Sequence, residues 1–99
     1  MVELRDRESP RSAVERSGQT FRRLADTYGA LFIVNDDPHL AAELLADGVH
    51  LGQDDISPAE ARQILGPEAI IGLSTHSCEQ IEAAGEQPVD YISVGPIWE

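Results

Sequence analysis

Asp36 and Asp55 each follow a short apolar run, in the segments ALFIVNDD and DGVHLGQDD. If both runs are strands, the two carboxylates fall on one rim. A hard divalent cation such as Mg²⁺ takes oxygen ligands, commonly one or two protein carboxylates, and fills its remaining positions with water and substrate phosphate oxygens. Neighbouring parallel strands lie about 4.8 Å apart, so both side chains reach one ion if the two strands are neighbours. The same acids would also serve at helix N-termini, where negative charge favours the positive end of the dipole, and the spacing alone fits either use. Asp37, next to Pro38, and Asp54, in the approach to Ser57, fit the helix-terminal use better.

Arg5 and Arg7 are separated by one residue, so in an extended strand they share a face with Glu3 while Leu4 and Asp6 point away. Two guanidiniums beside a metal make a phosphate clamp; the alternative is a structural ion pair with Glu3 or Glu8. Asn35 ends a strand and suits either a ligand ring or hydroxyl, or a backbone cap. His50 lies between Val49 and Leu51 and points away from them, which reads as a satisfied core histidine unless the site extends down to it. Ser74 and His76 form no nucleophilic triad without an orienting group and an oxyanion hole, so hydrolase chemistry is discounted. Gly72, Gly95 and Pro96 let backbone approach a ligand or fix a turn.

The elements that must position these residues alternate. Val2 to Arg5, Ala30 to Val34, Gly48 to Leu51, Ile70 to Ser74 and Tyr91 to Val94 are short strand-like runs, each separated from the next by a helical pattern. Such alternation gives parallel strands with crossover helices, and chemistry then collects at the carboxyl ends of the strands. Ser9-Pro10 starts a helix whose stripe is Val14, Phe21, Leu24, Ala25 and Tyr28, slightly weakened by Gly18. Asp37-Pro38 starts a second, with Leu40, Ala41, Leu44 and Leu45 inward. Ser57-Pro58-Ala59-Glu60 is a capping box ahead of Ala61, Ile64 and Leu65, stopped by Gly66-Pro67. A last helix from about Ser77 turns Cys78, Ile81 and Ala84 inward and ends near Gly85.

The expected fold is therefore α/β, a partial (β/α)8 barrel with about five parallel strands and four helices. A complete barrel takes about 250 residues, and this chain has 99. The chain reads as a fragment, a single incomplete barrel domain over residues 1–99. A signalling receiver domain also has five parallel strands and clustered acids, but it wants a lysine after its fifth strand, and this chain has no lysine.

The net charge of −11 argues against nucleic acid as a partner, since phosphate backbones demand a basic footprint. Six of the seven basic residues lie between Arg5 and Arg23, with Arg62 alone afterwards; Arg11, Arg16, Arg22 and Arg23 read as a solvated helix face. The single cysteine, Cys78, excludes an internal disulfide, fits a reducing compartment and is expected to pack against a helix neighbour. With no signal peptide and no membrane-length apolar run, the expectation is a soluble cytoplasmic protein with small-molecule partners.

VELRDR, VNDD, DGVHLGQDD, GLSTH and DYISVGPIW, in this order and at compatible spacing, make the chain similar to the thiamine-phosphate synthase family over essentially its whole length. The resemblance implies a (β/α)8 transferase that joins hydroxymethylpyrimidine diphosphate to thiazole phosphate and releases pyrophosphate with Mg²⁺ bound. It implies Asp36 and Asp55 as the Mg²⁺ ligands and Asn35 beside them on the pyrimidine diphosphate. It matches Glu3, Arg5 and Arg7 to a Q-x-R-x-K strand, of which only Arg5 is identical, and Ser74 to a serine near the diphosphate. The family's first strand, its threonine- and lysine-containing loop and its last two strands have no counterpart here, so the chain by itself is expected to be inactive. A thiazole tautomerase-like paralogue and a non-functional remnant are the competing readings. Retention of Asp36, Asp55 and Arg5 argues against the former.

Overall fold

The computed structural model describes residues 2–4 and 10–94. The elements run β1 (Val2–Leu4), α1 (Arg11–Tyr28), β2 (Phe32–Asn35), α2 (Pro38–Glu43), β3 (Gly48–Leu51), α3 (Pro58–Leu65), β4 (Ile70–Thr75), α4 (Cys78–Ala84) and β5 (Tyr91–Val94). All five strands are parallel and pair in chain order, β1-β2-β3-β4-β5. Doubly wound sheets such as the receiver fold reverse their strand order, as in 2-1-3-4-5. An order that never reverses is the wall of a barrel, and the expected five strands and four helices are all present. Among the described residues no helix is long and apolar enough to cross a membrane.

Local chemistry sets the element starts. Asp37 accepts the Leu40 amide at 3.1 Å, Ser57 the Glu60 amide at 3.2 Å and Ser77 the Gln80 amide at 3.1 Å, each satisfying an otherwise orphaned helix N–H. Pro38 and Pro58 occupy the first helical positions, where a missing N–H costs nothing. Pro10 lies one position earlier, at the N-cap of α1, and the expected Ser9 cap lies outside the described residues. β2 starts at Phe32 rather than Ala30 and takes in Asn35, β4 runs on to Thr75, and Arg5 lies outside the described residues.

Strand alternation sorts the side chains. Leu4, Phe32, Val34, Val49, Leu51, Ile71 and Leu73 face the helices and form one core with Val14, Ala25, Leu40, Ala41, Leu44, Ala61 and Ala84. Gly18 is part of the fit rather than a weakness: a Cβ there would stand 2.3 Å from Leu44 Cδ1, so its bare backbone leaves the space that the buried Leu44 side chain fills. Four residues expected inside are exposed. Leu24 and Tyr28 lie off the buried row of α1. Leu45, at φ 55° just past the end of α2, is turned outward by that left-handed residue. Cys78, in the first turn of α4, faces solvent.

The amino-terminal rim of the sheet is held by one device used twice. Asp47 Oδ2 accepts the Phe32 amide at 2.7 Å and pairs with Arg22 at 3.2 Å. Two units later Asp90 Oδ2 accepts the Ile71 amide at 2.8 Å and pairs with Arg62 at 3.0 Å. Each aspartate thus fastens the start of the strand next to its own. Arg22 is consequently not on a solvated face: it also donates to the Leu45 carbonyl at 2.9 Å and lies 5.6 Å from the Phe32 ring centroid. Arg62 further donates to the carbonyls of Gly66, Pro67, Ala69 and Pro88. Gly48 is demanded by close approach, since a Cβ there would stand 1.9 Å from the Ile70 carbonyl oxygen, which is backbone and cannot swing aside.

Two stability outcomes follow from this rim. Arg62→Ala leaves those carbonyls and Asp90 short of a donor and should cost about 2–3 kcal/mol by urea denaturation. The Ile71 amide first, and the Arg62 guanidinium second, hold the Asp90 carboxyl below its ordinary 3.8. A lowered folded value means that this contribution is complete above the ordinary value and is lost as pH falls through the lowered one. The unaltered chain should therefore lose melting temperature more steeply below about pH 4 than Asp90→Asn does.

Candidate active site

The concave face of the sheet is polar. His50, Gly72 and Tyr91 stand at one level on β3, β4 and β5, and Ser74 pairs with Ser93 one pleat further on. Asn35 is in register with His50. With Glu3 of β1 and the acids of the strand ends, Asn35, His50, Ser74, Tyr91 and Ser93 line one open cleft of about 630 Å³. Residues of β1 and β5 lining the same hollow mean that the sheet curls.

The cleft floor is a hydrogen-bonded cluster. His50 Nδ1 lies 2.9 Å from the Tyr91 hydroxyl, and His50 Nε2 lies 2.7 Å from Ser74 Oγ. Ser93 Oγ is 3.3 Å from Ser74 Oγ, and Gln53 Nε2 donates to the Ser74 carbonyl at 2.8 Å. Burial first, and the negative charge of Glu3 second, push the Tyr91 phenol above its ordinary 10.0. Gly72 lies within β4 and fixes no turn, one of the two uses its sequence suggests. A Cβ there would lie 2.1 Å from Tyr91 Cζ, so the gap over Gly72 is what lets the tyrosine ring reach across β4 to His50.

The rim carries the acids. Asp36 has φ 72°, a left-handed conformation that aspartate tolerates better than most residues, and its amide donates to the His50 carbonyl at 2.8 Å. This sharp turn ends β2 and brings Asp36 over the cleft. Asp55 Oδ2 accepts the Gly52 amide at 2.7 Å, which orients that carboxylate in the loop after β3. Asp36 and Asp55 both line the cleft, whereas Asp37 is the cap of α2. Asp54 also lines the cleft, and the cap of α3 is Ser57. Among the described residues no three His, Cys, Asp or Glu side chains gather to hold a metal by themselves. The Asn35 Oδ1 atom is buried without a hydrogen-bond partner among them.

Of the residues singled out by sequence, the structure gathers Glu3, Asn35, Asp36, Asp55 and Ser74 around one hollow. Arg5, Arg7, Gly95 and Pro96 lie outside the described residues. His50 is in the site and not merely a core histidine, because the cleft reaches down to its level. Tyr91 and Ser93 escaped sequence reading although a signal was present: they occupy alternate positions of a strand in which Ile92 faces the core, as His50 does beside Val49 and Leu51.

A curled parallel sheet in consecutive order, with its polar cleft at the carboxyl ends of the strands, defines a barrel-type α/β protein that binds its ligand at the rim. Comparison with known proteins narrows this class to one family. The family profile described as thiamine monophosphate synthase matches residues 1–99, and the chain belongs to that family. It is 45% identical over 98 residues to the thiamine-phosphate synthase of Shouchella clausii, covering 99% of this chain and 47% of that protein. It is 46% identical over 99 residues to that of Thermus thermophilus, covering 100% of this chain and 47% of the other. For the Nostoc punctiforme protein the identity is 48%, over 100% of this chain and 28% of that one. The solved thiamine phosphate pyrophosphorylase from Pyrococcus furiosus matches in three dimensions with a TM-score of 0.88 and 34% identity, over 97% of this chain and 47% of that one. The chain thus spans about half the length of the Shouchella and Thermus relatives.

The Gly72 contact gives a direct expectation. Gly72→Ala should expel the Tyr91 ring from its place beside His50. In a Tyr28→Phe background, where Tyr91 is the remaining tyrosine, the absorbance titration of the phenol should move to lower pH once Gly72 is replaced. An unmoved titration would show that the ring does not depend on that gap.

Proposed function

We propose that this chain carries the pyrimidine-diphosphate and metal part of a thiamine-phosphate synthase, which joins hydroxymethylpyrimidine diphosphate to thiazole phosphate and releases pyrophosphate. The observation that carries the reading is the placement of Asp36 and Asp55 on one cleft with Asn35, whose Oδ1 has no hydrogen-bond partner among the described residues. Two carboxylates, with no third protein ligand gathered beside them among the described residues, suit Mg²⁺, which keeps positions for water and substrate phosphate. When bound, Mg²⁺ neutralises charge on a departing diphosphate. A thiazole-phosphate tautomerase would have no use for the acid pair.

The chain's own residues take complementary roles in this reading. Asp36 and Asp55 hold the metal, and Asn35 offers its orphaned oxygen to a donor on the substrate. Ser74 binds the diphosphate end. Arg5 and Arg7 add positive charge to that end, on the strength of the family match. Glu3 takes the place that the family resemblance gives to a neutral amide, so its carboxylate would alter the pyrimidine side of the cleft. In the reaction the carbon–oxygen bond to the diphosphate breaks, its electron pair leaving with pyrophosphate. The thiazole nitrogen then supplies the pair for the new carbon–nitrogen bond. Preorganised charge is what lowers such a barrier, and no covalent enzyme intermediate is needed.

The reading is tested by calorimetric titration of the chain with the pyrimidine diphosphate. Binding should require Mg²⁺, and Asp36→Asn or Asp55→Asn should each weaken it by about tenfold or more, a loss of roughly 1.4 kcal/mol. Asparagine suits both places, since it tolerates the left-handed turn and can still accept the Gly52 amide. In a complete barrel, such as the Thermus thermophilus synthase with its matching half replaced by this chain, either change should abolish Mg²⁺-dependent pyrophosphate release. Near-normal turnover would overturn the metal assignment.

A further inference from the structure

Ser74 Oγ is the meeting point of the cleft floor. His50 Nε2 approaches it at 2.7 Å and Ser93 Oγ at 3.3 Å, while Ser93 Oγ stands 3.5 Å from His50 Nε2. The far side of the imidazole is engaged too, Nδ1 lying 2.9 Å from the Tyr91 hydroxyl. A neutral imidazole donates from one nitrogen and accepts at the other, so the bond made at Nδ1 decides the polarity of the bond made at Nε2.

Two polarities are possible. If Ser74 gives its proton to Nε2, the serine is primed as a nucleophile and Tyr91 must accept from Nδ1. If Tyr91 gives its proton to Nδ1, then Nε2–H donates to Ser74 and the serine's own hydrogen is left for something else. The phenol is the more acidic of the two hydroxyls and hence the better donor to an imidazole nitrogen. Ser93 donates to Ser74 as well, so both Ser74 lone pairs are filled. The Ser74 hydrogen then has the cleft as its direction.

We propose that Tyr91 and His50 are positioning residues that fix the polarity of Ser74, holding its hydroxyl hydrogen toward the cleft as a donor to an anionic diphosphate oxygen. The ligand half of this proposal rests on the function proposed above; the polarity half rests on the hydrogen-bond geometry together with the greater acidity of the phenol. Gly72 belongs to the same device, because its missing side chain is what admits the Tyr91 ring. The same polarity denies Ser74 a general base, which keeps it a binding group in a site that has no need of a nucleophile.

The test has two readouts on the chain. Imidazole ¹⁵N spectra at neutral pH, with the His50 signals assigned by their loss in His50→Gln, should show the Nε2–H tautomer, and Tyr91→Phe should move the population toward Nδ1–H. A predominant Nδ1–H tautomer in the unaltered chain overturns the polarity, whatever the chain binds. Titration with inorganic pyrophosphate and Mg²⁺ should show Ser74→Ala weakening binding by about tenfold, Ser74→Thr restoring it, and Tyr91→Phe weakening it by about threefold or more. Adding Tyr91→Phe to Ser74→Ala should have no further effect, because the tyrosine acts only through the serine; additive losses overturn that coupling. No pyrophosphate binding by the unaltered chain, with the Nε2–H tautomer in place, overturns the diphosphate reading and the ligand half with it.

Discussion

In-register pairing of five parallel strands is the constraint on which the rest depends. Alternate residues of a strand face opposite ways, so a one-residue slip in any pair would exchange a core side chain for a cleft side chain. At the level of His50, the register also sets a glycine between a histidine and a tyrosine. The tyrosine ring fills the space left by Gly72, and its hydroxyl meets the imidazole. Without that alignment the cleft floor would be separate polar side chains rather than one connected cluster.

The two rims divide the labour. At the amino-terminal rim, Asp47 with Arg22 and Asp90 with Arg62 repeat a single clamp in which one carboxylate takes both an amide at the start of a neighbouring strand and a guanidinium. Charge there is spent on holding strands together. At the carboxyl-terminal rim, Asp36 sits in a left-handed turn and Asp55 is oriented by the Gly52 amide, and both face the cleft. A chain of net charge −11 thereby places some of its acids as structural ties and others on the lining of the cleft.

Sequence reading located the helix starts because capping is local. Asp37, Ser57 and Ser77 each act on an amide three residues away, and such signals survive in one dimension. It located β3 and β5 for the same reason, since their apolar alternation and flanking turns lie within a few residues. It failed for Leu24, Tyr28, Leu45 and Cys78, which look apolar enough to be buried but lie off the packed row, past a helix end or on its outer side. The structural tie made by Arg22 is not legible in the sequence because its acid partner Asp47 comes from a different unit of the fold.

The sequence by itself determined the alternation of strands and helices, the rim positions of Asp36 and Asp55, and membership of a family recognisable from five short motifs in order. Each of these depends on neighbours along the chain or on their spacing. Only the tertiary structure decided that His50, Tyr91, Ser74 and Ser93 form one hydrogen-bonded floor and that Gly72 exists to admit a ring. Those contacts join β3, β4 and β5, and their physical basis is cross-strand register, which no single strand encodes.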